Sequence, residues 1–354
     1  MSMTTQPSPE QLQSIEATLA HRFGLLDTAD PHVAAVHDDL RQRLEADVAQ
    51  GAKLPTPPES VAIPLLPAST KVPTLQELLA ARPNLVTQPQ VVLKLQSVLA
   101  KDTASAAEVA NVISLDTKLT AAVLRVANSA LYRPVKAVDS VSRAVALLGT
   151  RQITSLCLGA ALISSFSTSA STALNIARFW RHALLVGLLA RNLAQHLRTE
   201  EPEVHFVGGM LHDIGFYIIG NSAPEMLDMV YRASLANGTP LHIEERHHFG
   251  FTHADVGHAL LEGWHFGPAL LSALRDHHTE NATLTAPHSL TICTANALSS
   301  MYGMPPFALL RPTPLPASLW QLLDINPSDL VSLCNKALTE FENISQGLGL
   351  HAQG

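Results

Sequence analysis

The sequence predicts an all-α protein, and three observations carry that prediction. Apolar residues make up 47% of the chain and aromatics only 5%, so the core is mostly Leu, Ala and Val, a mix that favours helices over strands. Apolar positions recur at helical spacing, and the periodic stretches are bracketed by cap residues and prolines in front and glycines behind. No run of alternating residues is convincing enough to mark a strand. With 354 residues the chain can form two or three helical lobes with real cores.

Ser8-Pro9 opens the first helix and Gly24 stops it; Asp30-Pro31 opens the second and Gly51 ends it. The stripe Val33, Val36, Leu40, Leu44 and Val48 has helical spacing. Residues 1–51 are thus expected to form a helical hairpin docked on the main body, with a partner-binding arm as the alternative. Prolines crowd residues 52–71, which read as an extended linker. From 72 to 165 short helices follow one another between caps. Ser105 with Glu108 is a capping box, Asp116 caps the next helix, Gly149 ends a further one, and Thr150 is expected to cap its successor.

Residues 175–303 form a second lobe. Phe179-Trp180-Arg181-His182 opens a long helix to about Leu197, a helix over 202–214 carries His212-Asp213, and Ser222 to Gly238 is helical. Thr252 caps a helix with Asp255 at its third position, Gly267-Pro268 starts the one ending at Asp276-His277-His278, and Pro287 starts the one carrying Asn296. A proline-rich stretch runs from Gly303 to Pro316. Asn326-Pro327 then opens a last amphipathic helix, so that C-terminal helices occupy 316–346.

Charged residues are 15% of the chain and the net charge is −7, which gives no electrostatic footprint for nucleic acid. Cys157, Cys293 and Cys334 are far apart and lack the spacing of a disulfide framework or structural zinc site. No apolar stretch reaches the length of a membrane span. The N-terminus lacks the pattern of a signal peptide. The expectation is a cytoplasmic protein that touches neither membrane nor nucleic acid.

Gly208-Gly209-Met210-Leu211-His212-Asp213-Ile214-Gly215 is the stretch with chemical content. Imidazole and carboxylate are both ligands for first-row metals. Burying them side by side is costly unless a metal, a proton or a hydrogen bond compensates. Gly215 is read as closing the helix. His182 upstream and His253, His277 and His278 downstream lie at spacings that suit one pocket. His253, in the first turn of a helix, is expected to stay neutral because the positive end of the helix dipole disfavours imidazolium. His242, His247, His248, His258 and His265 are read as surface or core residues. The His247-His248 pair is the one to watch among them.

From residue 72 to 346 the chain resembles the HDOD family, the HD-related output domains of bacterial signalling proteins. The resemblance rests on Pro73-Thr-Leu, Ser114-Leu-Asp-Thr-Lys-Leu-Thr, Leu124-Arg-Val-Ala-Asn-Ser-Ala-Leu-Tyr132, Ala144-Val-Ala-Leu-Leu-Gly149 and Phe179-Trp-Arg-His182. It continues through Gly208–Gly215, Phe251-Thr-His-Ala-Asp-Val-Gly257, Leu261-Glu-Gly-Trp264 and Asp276-His-His278. It implies an all-α, two-lobed domain whose second lobe is related to HD phosphohydrolases, preceded here by an N-terminal helical extension. It also implies a signalling role, with a protein partner and mostly without catalysis.

By motif order the minimal HD metal site falls on His182, His212, Asp213 and Asn296, with Asn296 standing where the family has an Asp. His253 and one or both of His277 and His278 match the histidines that related HD-GYP phosphodiesterases add for a second metal. Such N/O ligation suits Fe, Mn, Ni or Zn. A buried hydrogen-bonded cluster without metal is the alternative. Two functions follow. One is a regulatory module acting through protein–protein contacts. The other is a metal-dependent phosphohydrolase of a phosphodiester or nucleotide, for which His212 and Asp213 would be the catalytic pair. Phe216 stands where the phosphodiesterases carry Lys, and Thr279-Glu-Asn-Ala-Thr where they carry Gly-Tyr-Pro. Both departures weigh against catalysis. Arg181, Arg246 and Arg275 are the basic candidates near the site.

Overall fold

A computed structural model describes residues 7–54, 72–81, 88–99, 101, 104–278 and 286–350. Among these residues every regular element is a helix and none is a strand. Most of the linker (55–71) and the segment 279–285, where Gly-Tyr-Pro is replaced, lie outside them. No single helix among them is long and apolar enough to cross a bilayer.

Helices α1 (Pro9–Phe23) and α2 (Pro31–Ala49) form a hairpin that starts as its caps predict. Ser8 and Gln11 make a reciprocal capping box, and Asp30 accepts from the backbone N–H groups of His32 and Val33. Ile15, Leu19 and Phe23 of α1 and the whole predicted stripe of α2 are buried and continuous with the main core. Polar contacts fix the dock. Tyr302 donates to Asp39 at 2.9 Å, Asp39 also pairs with Arg43, and His32 stacks on Trp320 while its Nε2 meets the Ile325 carbonyl at 2.9 Å. Deleting residues 1–51 is therefore expected to lower the melting temperature and promote aggregation. Re-exposing roughly 200 Å² of apolar surface at ~25 cal/mol per Å² costs about 5 kcal/mol. Thermal melts of the truncated and full chains check this; equal melting temperatures would instead mean a hairpin that contributes nothing to the body.

The next elements are α3 (Leu75–Ala81), α4 (Gln90–Leu99), α5 (Ala106–Ser114), α6 (Thr117–Ala127), α7 (Val141–Leu148) and α8 (Thr150–Ser165). Of these, α4 to α8 pack on one another, whereas α3 rests on α11 and α14, defined below. One cap reads differently from expectation. Gly149, at φ +84°, both ends α7 and begins α8, so Thr150 is the first helical residue rather than the cap. Asn128 does more than cap, because its side chain donates to the Val138 carbonyl and accepts from the Val138 N–H, both at 2.8 Å, and so ties down the loop before α7.

The second lobe holds α9 (Ile176–His196), α10 (Pro202–Leu211), α11 (Ile214–Ser222), α12 (Pro224–Asn237), α13 (Leu241–Phe249), α14 (His253–Gly263), α15 (Pro268–Asp276) and α16 (Pro287–Met301). Helix α9 is its axle, buried along most of its length against α10 and α16. After α17 (Ser318–Leu323), the last helix α18 (Pro327–Gly347) touches α9, α6 and α2, so it joins both lobes and the hairpin. Helix α13 has no counterpart in the sequence reading. Only two of its apolar residues, Leu241 and Phe249, are buried, alongside Glu244 and Glu245, so it carries little periodic signal.

Candidate metal centre

The expected helix over 202–214 breaks where the chemistry lies. Helix α10 ends at Leu211 and α11 starts at Ile214, leaving His212 and Asp213 at the junction. Gly215 does not close a helix; it sits in the first turn of α11. A Cβ built there would lie 1.9 Å from the His253 carbonyl oxygen, so glycine is required by the approach of α11 to α14. Gly209 serves likewise on the preceding helix, since its Cβ would lie 2.6 Å from the Cα of Gly187 on α9. These two crossings bring His182, His212 and His253 to one point.

Asp213 is the centre of the cluster. One carboxylate oxygen, Oδ2, lies 3.4 Å from His182 Nε2 and 3.2 Å from His212 Nε2. The other, Oδ1, lies 3.2 Å from His253 Nε2 and 3.4 Å from His277 Nε2. His278 Nε2 completes the second group, 3.0 Å from His253 Nε2. The ligand atoms thus fall into two sets that share Asp213: His182, His212 and Asp213, and Asp213, His253, His277 and His278. Donors held ~2.1 Å from one ion at tetrahedral or octahedral angles lie ~3.0–3.4 Å from each other, which is the spacing seen.

The outward nitrogens decide which way the lone pairs point. The Nδ1 of His182, His212 and His277 each meet a backbone carbonyl: Met304 at 2.6 Å, Gly209 at 2.8 Å and Leu274 at 2.5 Å. A carbonyl only accepts, so the proton sits on Nδ1 and Nε2 presents a lone pair to the centre. His212 and His277 achieve this alike. Each follows the last residue of a helix and donates to the carbonyl three residues back, which would otherwise lack a partner. Neither oxygen of Asp213, itself buried, meets an aligned hydrogen-bond donor. An unpartnered buried carboxylate facing five imidazole nitrogens, at least three of them unprotonated, is a donor set that fits a divalent cation better than it fits a hydrogen-bonded cluster.

Electrostatics agree for most members. Burial opposes ionisation of Asp213, whereas the His253 ring at its Oδ1, when it carries a proton, favours it and holds the carboxyl below the usual range. Burial pushes His277 down to about 4 and His278 well below its ordinary value. Both are therefore neutral near pH 7. His253 departs from expectation. Burial disfavours its charge, yet the buried Glu245 carboxylate, 2.6 Å from Nδ1, and Asp213 on the other side raise it to about 9. A helix dipole of roughly half a charge loses to a full carboxylate in contact.

Asn296 is buried and lines the same small cavity as Asp213, His253 and His278. That cavity measures about 30 Å³, room for a water or two. Phe216 forms part of its wall. Phe216 stacks on His253 at 3.7 Å between centroids and meets Phe307 edge-on at 4.8 Å. Phe307 belongs to the proline-rich segment 303–316, which folds across the pocket as a strap. Met304 accepts from His182, Thr313 lies 3.2 Å from His278 Nδ1, and Tyr231 donates to the Ala308 carbonyl at 2.5 Å.

Several residues near the centre carried no usable sequence signal. Glu245 sits on α13, bracketed by Pro240 and Gly250; those two residues were the available clue. His242, expected to be an ordinary core or surface residue, stacks on His278 at 4.4 Å and lines the cavity, with burial pushing it down to about 3. His247 and His248 stay outside; His248 faces Glu244 at 3.5 Å. None of the three expected arginines lines the cavity. Arg181 reaches the Leu350 carbonyl, Arg246 pairs with Asp255, and Arg275 with Asp276. Arg311, delivered by the strap, lines it instead.

Comparison with known proteins adds the following. The HDOD domain family model matches residues 85–280. An uncharacterised protein of Treponema pallidum (strain Nichols) is 24% identical over 191 residues, 54% of this chain and 37% of that one, so the chain spans well under half the length of this curated relative. An HDOD domain protein of unknown function from Geobacter sulfurreducens superposes with a TM-score of 0.66 at 22% identity, over 78% of this chain and 99% of the other. A suggested phosphohydrolase of Shewanella amazonensis SB2B gives 0.59 at 23% identity, over 77% and 97%. At such identities the structural likeness carries the fold.

Proposed function

The chain belongs to the HDOD domain family, and from that premise we propose that it is a bacterial signal-transduction module that acts through contacts with a protein partner rather than by catalysis. The observation that carries this reading is the small volume of the pocket at Asp213. A cavity of about 30 Å³ lined by Phe216 and by strap residues Pro306, Leu310, Arg311 and Thr313 is far below the ~300–1,000 Å³ of small-molecule sites. A volume of that size has no room for a phosphodiester beside Asp213.

The donor set supports a divalent metal in this reading. His182, His212 and Asp213 would hold one ion; Asp213, His253, His277 and His278 would hold a second, with Asn296 at its side. Imidazole and carboxylate suit Fe, Mn, Ni or Zn. Bound metal would supply Lewis-acid charge. The chain's own residues do the rest: Glu245 orients His253, carbonyls fix the other tautomers, and Phe216 excludes solvent. In a module without turnover, the ions would lock α9, α10, α14 and α15 into one arrangement that a partner can read. The chemistry of the donors supports a second reading, a metal-dependent phosphohydrolase of the HD type, which the two donor groups that share Asp213 favour.

Purified protein supplied with Mn²⁺ or Fe²⁺ is expected not to hydrolyse cyclic di-GMP at a physiological rate. Product formation followed by chromatography checks it. Turnover that a chelator abolishes and His212→Ala removes would replace the signalling reading with the enzymatic one.

A further inference from the structure

A second cavity, of about 210 Å³, lies on the other face of the strap. Its walls come from three places that are distant in sequence: the end of α1, the first turn of α9, and the end of α16 with strap residues 305–310. Two guanidinium groups line it, Arg22 and Arg178. We propose that this cavity is a binding site for a small phosphate-bearing anion, held between Arg22 and Arg178.

The charges in the cavity are unbalanced. Among the described residues neither Arg22 nor Arg178 has a carboxylate or carbonyl partner, in contrast to Arg191, which is paired with Glu340 and Glu203, and Arg43, which is paired with Asp39. Arg22 is largely withdrawn from solvent. Burial, with Arg178 as a like-charged neighbour, pushes its guanidinium down to about 10. A largely buried guanidinium with a second, exposed one beside it and no carboxylate partner for either is unfavourable unless an anion joins them. Helix direction explains only one of them. Arg22 is in the last turn of α1, where the dipole welcomes a cation, but Arg178 is in the first turn of α9, where it does not. That end of a helix favours an anion instead.

The backbone is shaped around Arg22. Gly303 has φ +82°, and a Cβ there would lie 2.5 Å from the central carbon and both terminal nitrogens of the Arg22 guanidinium. The glycine leaves the space in which that group lies. Ser300 adds a hydroxyl, and His21 is held by its Nε2 to the Leu309 carbonyl at 2.9 Å, tying α1 to the strap. Planar forked donors suit phosphate oxygens, and two of them match a dianion. The volume lies below the range usual for nucleotide-sized ligands, which limits the ligand to inorganic phosphate or a small phosphomonoester. Pro305, Ala308 and Leu310 offer an apolar wall for the ester group. Ser300 and Leu310 also line the metal pocket, so an anion seated here would rest on the same strap that covers Asp213.

The test uses the full chain in the presence of a chelator, with inorganic phosphate and glycerol 3-phosphate as probes and chloride at matched ionic strength as control. Phosphate is expected to raise the melting temperature saturably, and calorimetric titration to give a dissociation constant that Arg22→Gln and Arg178→Gln each weaken about tenfold or more. Arg178 is exposed, so its variant should fold even if Arg22→Gln does not. Tighter binding of glycerol 3-phosphate than of phosphate would assign the ligand to the ester class; the reverse would assign it to free phosphate. His212→Ala should bind phosphate as wild type does, because no metal ligand lines this cavity. Wild-type affinity in both arginine variants, no saturable effect beyond chloride, or loss of binding in His212→Ala would overturn the proposal.

Discussion

Gly215→Ala is expected to lower stability by about 4 kcal/mol or more, placing it among the exceptional single substitutions, and to lower the melting temperature by on the order of 10 °C. The physical reason is a collision between two backbones. The added Cβ would lie 1.9 Å from the His253 carbonyl oxygen and 2.7 Å from its carbonyl carbon. No rotamer change relieves that contact, so α11 and α14 must move apart by more than an ångström. The separation would carry His253 away from Asp213, now 3.2 Å distant. Metal content measured on the folded fraction should therefore fall as well, through loss of the His253, His277 and His278 set. Wild-type melting and metal content in Gly215→Ala would show that the two helices do not meet so closely.

Asn296→Asp should separate a metal centre from a metal-free cluster by the sign of one measurement. Asn296 lines the cavity that holds Asp213, and aspartate has nearly the same volume. With a divalent ion present, the substitution adds a charged ligand. Affinity should rise, and the folded state should gain about 2.7 kcal/mol at a free metal concentration a hundred times the dissociation constant. Without metal, the same change places a second buried carboxylate near Asp213. Like charges at that range disfavour the fold or force one carboxyl to hold a proton. The expected result is a lower melting temperature than wild type in chelator and a higher one in Mn²⁺ or Fe²⁺. A drop that metal does not reverse would end the case for a cation at Asp213.

The helices were largely legible because their ends are written locally. Ser8 with Gln11, Asp30, Ser105 with Glu108, Asp116, Thr252 with Asp255 and Asn326 each cap the helix that follows them. A cap acts within three or four residues, so the chain need not be folded for it to be read. Helix α13 escaped because its buried face is half acidic, Glu244 and Glu245, and an apolar period cannot announce a helix that buries carboxylates.

The sequence by itself determined an all-helical chain, the identity of its helix boundaries over most of its length, and the residue types that meet at Asp213. It could name His182, His212, Asp213, His253, His277, His278 and Asn296 because the order of motifs carries them. Only the tertiary structure decided that the donors divide into two sets on the two oxygens of one carboxylate. The same holds for the buried glutamate behind His253, for the close approach that makes Gly215 a glycine, and for the strap that covers the pocket and supplies Arg311. Each of these depends on backbone segments far apart in the chain arriving within a few ångströms of each other. Such distances are set by helix crossings and by loops that lie over them, and no local pattern of residues encodes them.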